Sequence, residues 1–136
     1  MSQPQIHDPA AAELVAIANR IVGEFALTAA DLTAGSVAAA LRTAAGNIYT
    51  GICLDLACGI GFCAEHAAVA EMLKARERSI VMIVAVAEGA ILAPCGRCRE
   101  LLVQVDRANF ATQVVMPNGT LRPLATLLPD HWMPDH

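Results

Sequence analysis

Apolar positions recur at helical spacing over residues 9 to 26, where Leu14, Ile17, Ala18, Ile21, Val22 and Phe25 share one face, and this predicts an amphipathic first helix. Asp8 stands at the cap position and Pro9 opens the helix, where its missing N–H costs nothing. The pattern then changes. Ser36 to Leu41 and Asn47 to Cys53 are runs of small and apolar residues around the turn-prone Ala45-Gly46-Asn47, which predicts two strands and a hairpin, although the alanines of SVAAAL also suit a helix. A glycine-broken connection, CGIGF, leads into a helix that starts at Cys63 and runs through AEHAAVAEMLKARE. SIVMIVAVAE is nearly continuous in apolar residues and rich in Val and Ile, as a strand covered on both faces requires. A loop from Gly89 to Pro94, a short helix CGRCRELLVQV, a strand TQVVMP, the turn Pro117-Asn118-Gly119 and a short helix from about Pro123 to Leu128 complete the chain. This alternation predicts an α/β fold with a largely parallel or mixed sheet and helices on its faces. With no repeat, low-complexity tract or linker, residues 1–136 read as a single domain.

Composition changes this picture in two respects. The hydrophobic fraction is 56% with only 4% aromatics, more apolar surface than one small core uses, so part of it is expected to close a subunit interface. A net charge of -4 without a basic run excludes an extended polynucleotide surface and favours a small neutral substrate. No run reaches the roughly 20 apolar residues of a membrane span, and MSQPQIHDPA lacks the regions of a signal peptide, so a cytoplasmic protein is expected. The five cysteines are odd in number and three fall in motifs, which favours metal binding over a disulfide framework. Cys53 and Cys58 read as buried small residues. His7, His131 and His136, near the ends, read as solvated.

The motifs are Cys63-Ala64-Glu65 and, 31 residues beyond Cys63, Pro94-Cys95-Gly96-Arg97-Cys98. Two cysteines separated by two residues at a helix start can aim both sulfurs at one centre, where free amides favour thiolates. If Cys63 also begins a helix, the chain can return to bring both helix starts to one point. Three thiolates and a water then complete a tetrahedral zinc, one Zn2+ per chain, and the water marks a catalytic site. Glu65 is too near Cys63 in sequence to be a further ligand but can reach the open position. There it would take a proton from a water acidified to a pKa of about 7, so that hydroxide attacks an amino-bearing ring carbon, and then protonate the ring nitrogen and the leaving ammonia.

A His or Cys, a nearby Glu that is not a ligand, and a later Pro-Cys-x-x-Cys form the zinc deaminase signature. On those residues the chain resembles the cytidine deaminase superfamily, in its small type with an all-cysteine site. SVAAALRTAAGNIYTG resembles the family hairpin, CAEHAAVAEM the first zinc helix, PCGRCRELL the second, and NGTLRPLATLLPDHW the closing segment. The resemblance implies a three-layer α/β sandwich with a mixed five-stranded sheet flanked by helices, and a homotetramer. It implies hydrolysis of cytidine or deoxycytidine to uridine or deoxyuridine plus ammonia. Cys53, Asp55, Ala64 and Trp132 fall at substrate-contacting places, Trp132 in a neighbouring subunit's pocket. His66, Pro94, Arg97 and Arg99 fall around the metal, where three thiolates call for a donor or positive charge.

The chain departs from the family where it has Cys53 and Asp55 in place of an Asn and a Glu, and Gly35 or Ala34 in place of a stacking Phe. Cysteine is a poor replacement for an amide, and aspartate is one methylene shorter than glutamate. The segment from Gly51 to Glu65 is one residue shorter than in typical nucleoside deaminases and, together with PCGRCR, resembles blasticidin S deaminases; with the changed contacts, this makes blasticidin S or another aminated heterocycle the alternative substrate. Two other readings are a thiol-disulfide exchange protein built on Cys95 and Cys98, which leaves Cys63 and Glu65 unexplained, and a catalytically silent deaminase fold, which leaves Glu65 unexplained.

Overall fold

The computed structural model describes residues 3–134; His136 lies outside them. Its elements are α1 (Pro9–Asn19), β1 (Phe25–Ala26), β2 (Thr33–Thr43), β3 (Ile48–Asp55), α2 (Ala64–Lys74), β4 (Ile80–Ala87), β5 (Ala90–Leu92), α3 (Gly96–Val105), β6 (Gln113–Val115) and β7 (Leu121–Pro123), with 3-10 turns at Arg107–Ala111 and Leu124–Leu127. The Asp8 side chain accepts the Ala11 N–H at 2.9 Å, capping α1 as expected. The helix ends at Asn19, seven residues short of the expected end at 26. Past Ala18 the chain turns, the Gly23 N–H goes to the Gly35 carbonyl at 2.8 Å, and Phe25–Ala26 pairs with Ala34 and Thr33. Ile21 and Phe25 are therefore 38% and 51% exposed instead of lying on a helix face.

The alanine-rich segment is a strand because both of its faces are covered. Ala38 and Ala40 pack with Ala11, Leu14, Val15 and Ala18 of α1, while Ala39 and Leu41 pack with Ala64, Ala68, Val69 and Met72 of α2. Alternate residues of a strand face opposite ways, so a run without polar interruption fits a central strand and not a surface helix. Leu102 and Val103 of α3 join the α2 side, giving helix, sheet and helix layers. The expected five-stranded mixed sheet forms the body, in the order β3-β2-β4-β6-β7: β2 is antiparallel to β3 and β4, β4 is parallel to β6, and β6 is antiparallel to β7. Two short strands add to it, β1 beside β2 and β5 beside β4, making seven. β5 falls in the segment expected to be a loop, because Ala90–Leu92 turns back on the end of β4.

Close approach positions the second layer. A Cβ at Gly51 would stand 2.5 Å from the Ala68 nitrogen and 2.6 Å from the Ala67 Cβ, so α2 lies directly on β3 at this glycine. Buried Asn109 fixes α3 to the sheet, accepting from the Ile80 N–H at 2.8 Å and donating to the Leu102 and Arg78 carbonyls at 2.9 and 3.0 Å. Cys58 is exposed, contrary to its expected burial, because it occupies a left-handed turn (φ 61°) with Gly59. His7 is exposed as expected, whereas His131 is half-buried and lies 4.7 Å from the Phe110 ring, centroid to centroid. Among the described residues no helix is long and apolar enough to cross a membrane.

Gly51→Ala should destabilise the protein by about 1–3 kcal/mol in urea unfolding, since the clash is with helix backbone. Gly23→Ala, where an added Cβ meets nothing within 4 Å, should change stability by less than about 0.5 kcal/mol.

Candidate metal centre

Two helices begin at the same point. Cys63 and Cys95 occupy the N-cap positions of α2 and α3, both with extended backbone, and neither side chain caps its own helix. Their sulfurs are thus free to leave the helix ends and converge. Cys98 is three residues past its cap, and side chains at these two positions meet over the first turn. The Cys63 and Cys95 sulfurs are 3.6 Å apart, those of Cys95 and Cys98 are 3.5 Å apart, and all three lie within 4.8 Å of one another. Thiolates bound about 2.3 Å from one tetrahedral ion stand about 3.8 Å apart, so the spacing fits a shared metal ion. Among the described residues no fourth His, Cys, Asp or Glu joins the group.

The chain reaches Cys63 by a short bridge to β3. Leu54 and Phe62 exchange backbone hydrogen bonds at 3.0 and 3.1 Å, and Gly61 fits beneath because a Cβ there would be 2.4 Å from the Leu54 carbonyl oxygen. On the other side, Arg99 donates to the Pro94 carbonyl and the Leu127 carbonyl, each at 2.8 Å. Arg99 thereby ties the start of α3 to its preceding loop and to the last 3-10 turn, using its guanidinium on carbonyls and not on the sulfurs where it was expected. Pro94 is buried at this junction.

The protonation of the sulfurs also calls for a cation. Burial, then the Glu65 charge, pushes the Cys98 thiol far up, and burial together with a hydrogen bond to Cys95 raises that of Cys63. Burial also acts upward on Cys95 but is outweighed by the Cys98 and Arg97 amides and the neighbouring thiols, which bring it below the ordinary cysteine value. Cys95 is thus the sulfur that the protein alone most favours as a thiolate, and a bound cation would stabilise the other two in that form.

Glu65, in the first turn of α2, is 4% exposed, and burial holds its carboxyl above the usual range against weaker opposing hydrogen bonds from its own amide and Cys98. It lines a cavity of about 700 Å³ together with Cys63, Ala64, Cys95, Arg97, Cys53 and Asp55. Cys53 is buried as expected but also forms part of this wall. His66 is half-buried with its Nε2 unpartnered among the described residues, and burial, then the charge of Arg97, keeps its ring neutral below the usual histidine range. It makes no hydrogen bond to a sulfur among the described contacts. Trp132 stands apart from the cavity, 71% exposed, its backbone N–H donating to the Glu100 carboxylate at 3.1 Å. Gly35 does not open the cavity as a missing aromatic would: its φ is +86° and a Cβ would stand 2.4 Å from the Gly23 carbonyl oxygen. Ser36 and Asp31, which no catalytic motif marks, also line it.

No protein-family model matches the chain, and no curated protein matches it. Solved structures do. Cytidine deaminase from Mycobacterium tuberculosis aligns with a TM-score of 0.77 at 26% identity over 93% of this chain and 99% of that one. The enzyme from Burkholderia pseudomallei aligns with a TM-score of 0.67 at 26% identity over 93% of this chain and 100% of that one. That from Bacillus anthracis shares the fold at 23% identity and TM-score 0.67, over 90% and 89%. The chain has the cytidine deaminase fold, and its structural neighbours are bacterial cytidine deaminases with which the three-cysteine group is consistent as a metal site.

Because thiols must lose protons to bind a metal, affinity for added zinc should rise with pH, by about tenfold per unit for each proton displaced. Titration at several pH values, with proton release read in two buffers, measures it. Cys63→Ser should lower the metal content of the purified protein from about one ion per chain. A metal-free wild type that reduces disulfides would instead favour exchange chemistry at Cys95 and Cys98.

Proposed function

We propose that the protein is a zinc-dependent hydrolytic deaminase that converts cytidine or deoxycytidine to uridine or deoxyuridine and ammonia. One observation carries this reading: a three-sulfur group with no fourth protein donor among the described residues stands at the edge of a cavity that a buried glutamate also lines. A structural zinc site would be closed by a fourth side chain. Three thiolates suit zinc, which when bound acidifies water and so supplies a nucleophile at neutral pH. Cys63, Cys95 and Cys98 hold it, and the two helix starts turn their amides and positive dipole ends toward those sulfurs.

Glu65 performs the proton work. As a carboxylate it accepts a proton from the attacking water and delivers it to the ring nitrogen; it then takes the remaining proton of the oxygen added to the ring carbon and passes it to the amino group, which departs as ammonia. Burial raises its affinity for a proton, which makes the carboxylate a stronger base than an ordinary glutamate. Ala64 borders the ring, Asp55 accepts from the substituent the ring carries, and Arg97 at the cavity wall with neutral His66 behind it supplies the nearby positive charge. The similarity to cytidine deaminases supports the nucleoside class of substrate. Blasticidin S or another aminated heterocycle is the second reading, favoured by the absence of an aromatic at Gly35 and by Cys53 in the wall.

The proposal includes a homotetramer in which Trp132 enters a neighbouring subunit's pocket. The exposure of Trp132 (71%) and Ile60 (66%) supports it, and the free thiols of the site suit the reducing cytoplasm. One sheet running from β1 to β7 supports a single domain.

Glu65→Gln should keep its metal and fold yet lower ammonia release by about 10²–10⁴-fold. Ammonia assays across cytidine, deoxycytidine, cytosine, blasticidin S and aminopurines, with elemental analysis of the same samples, check this; a wild type inactive on all of them would sink the reading. Since Glu65 must begin ionised and burial raises its pKa, activity should fall on acidification at a pH above the ordinary glutamate value of about 4.3. The limb should vanish in Glu65→Gln. Sedimentation should give four chains, and Trp132→Ala should lower kcat/KM by about tenfold with metal content unchanged; a monomer refutes this part.

A further inference from the structure

We infer that Ser36 is a positioning residue for substrate recognition: with the Cys53 thiol it occupies one oxygen of Asp55, leaving the other for a hydroxyl on the group attached to the substrate ring. The inference rests on the deaminase reading and specifies how its pocket selects.

The arrangement begins in the sheet. Between Ala34, paired with Leu54, and Ala38, paired with Ile52, β2 contains two more residues than β3 opposite it. The bulge removes residues 35 to 37 from the regular ladder with β3 and leaves the Val37 N–H without its usual carbonyl. The Cys53 sulfur accepts that N–H at 3.3 Å. Ser36, projected by the same bulge, has its hydroxyl 3.2 Å from the sulfur and donates to Asp55 Oδ2 at 3.0 Å. The Cys53 thiol is also 3.6 Å from Oδ2.

All three side chains line the cavity, but their free capacity differs. Cys53 has one proton, directed within the wall, and its sulfur already accepts a backbone N–H. It therefore braces the bulge and does not replace an amide as a substrate donor. Asp55 Oδ2 receives both internal donors, whereas Oδ1 has no hydrogen-bond partner among the described contacts. A carboxylate only accepts, so the free oxygen selects a donor such as a hydroxyl. Holding it in place beforehand removes part of the ordering cost of binding. Without Ser36 the short Asp55 side chain, exposed at the strand end, would turn freely into water.

The test compares cytidine with 2′,3′-dideoxycytidine on zinc-loaded protein. Ser36→Ala should raise KM for cytidine by about 3–10-fold, more than it lowers kcat, and reduce the preference for cytidine over the dideoxy compound by a similar factor. Ser36→Thr, which retains the hydroxyl, should restore most of that preference, and Asp55→Asn should lose it. Calorimetric binding of both nucleosides to Glu65→Gln protein, with and without Ser36→Ala, reads the preference without turnover. A preference that disappears with Ser36 supports the inference even where no ammonia is released, so failure of the chemistry is told apart from failure of recognition. A preference untouched by Ser36→Ala, equal losses for both nucleosides, or no preference in the parent protein overturns it.

Discussion

Three cysteine sulfurs brought within 4.8 Å of one another impose the condition on which the rest of the structure depends. Two helices must start at one place, and the sheet must return the chain there. The condition is met by short-range contacts: Gly51 lets α2 lie on β3, the Leu54–Phe62 bridge with Gly61 beneath it delivers Cys63, and Arg99 fastens the start of α3 to the Pro94 and Leu127 carbonyls. An extra methyl at either glycine would meet backbone, which cannot move aside without moving a ligand.

The same geometry separates two kinds of electrostatics. At the sulfurs, helix N-termini offer positive potential, yet burial still holds Cys63 and Cys98 protonated in the protein alone. One residue past Ala64, burial raises the Glu65 carboxyl without placing a cation beside it. A metal in the first location and a proton carrier in the second are complementary. Proximity allows water to meet both, while the hydrophobic contacts of Ala64, Ala68 and Val69 hold α2 against the sheet.

The cavity wall opposite is set by backbone irregularity. The β2 bulge, the left-handed Gly35 and the turn at Gly23 together determine that Ser36 faces the cavity and that no side chain grows from Gly35. An aromatic is absent there because a carbonyl occupies its path, which is a different cause from a simple substitution in an otherwise unchanged pocket.

Cys63 with Glu65, and Cys95 with Cys98, could be singled out from the sequence because the spacing within each pair works inside the first turn of its own helix, where local geometry follows from residue order. The central strands were legible for a similar reason: their apolar runs must be covered, whatever covers them. The end of α1, the tilted packing of His131 against Phe110 and the engagement of Arg99 by the Leu127 carbonyl all depend on partners distant in the chain. Ser36 shows this limit most clearly, since nothing adjacent to it marks a polar wall. The sequence by itself determined the donor set and the layer-forming pattern, which are encoded in side-chain chemistry and periodicity. Only the tertiary structure decided which donors converge, which thiol braces the wall and which carboxylate oxygen stays free, because each depends on strand register and on backbone atoms meeting across the sheet.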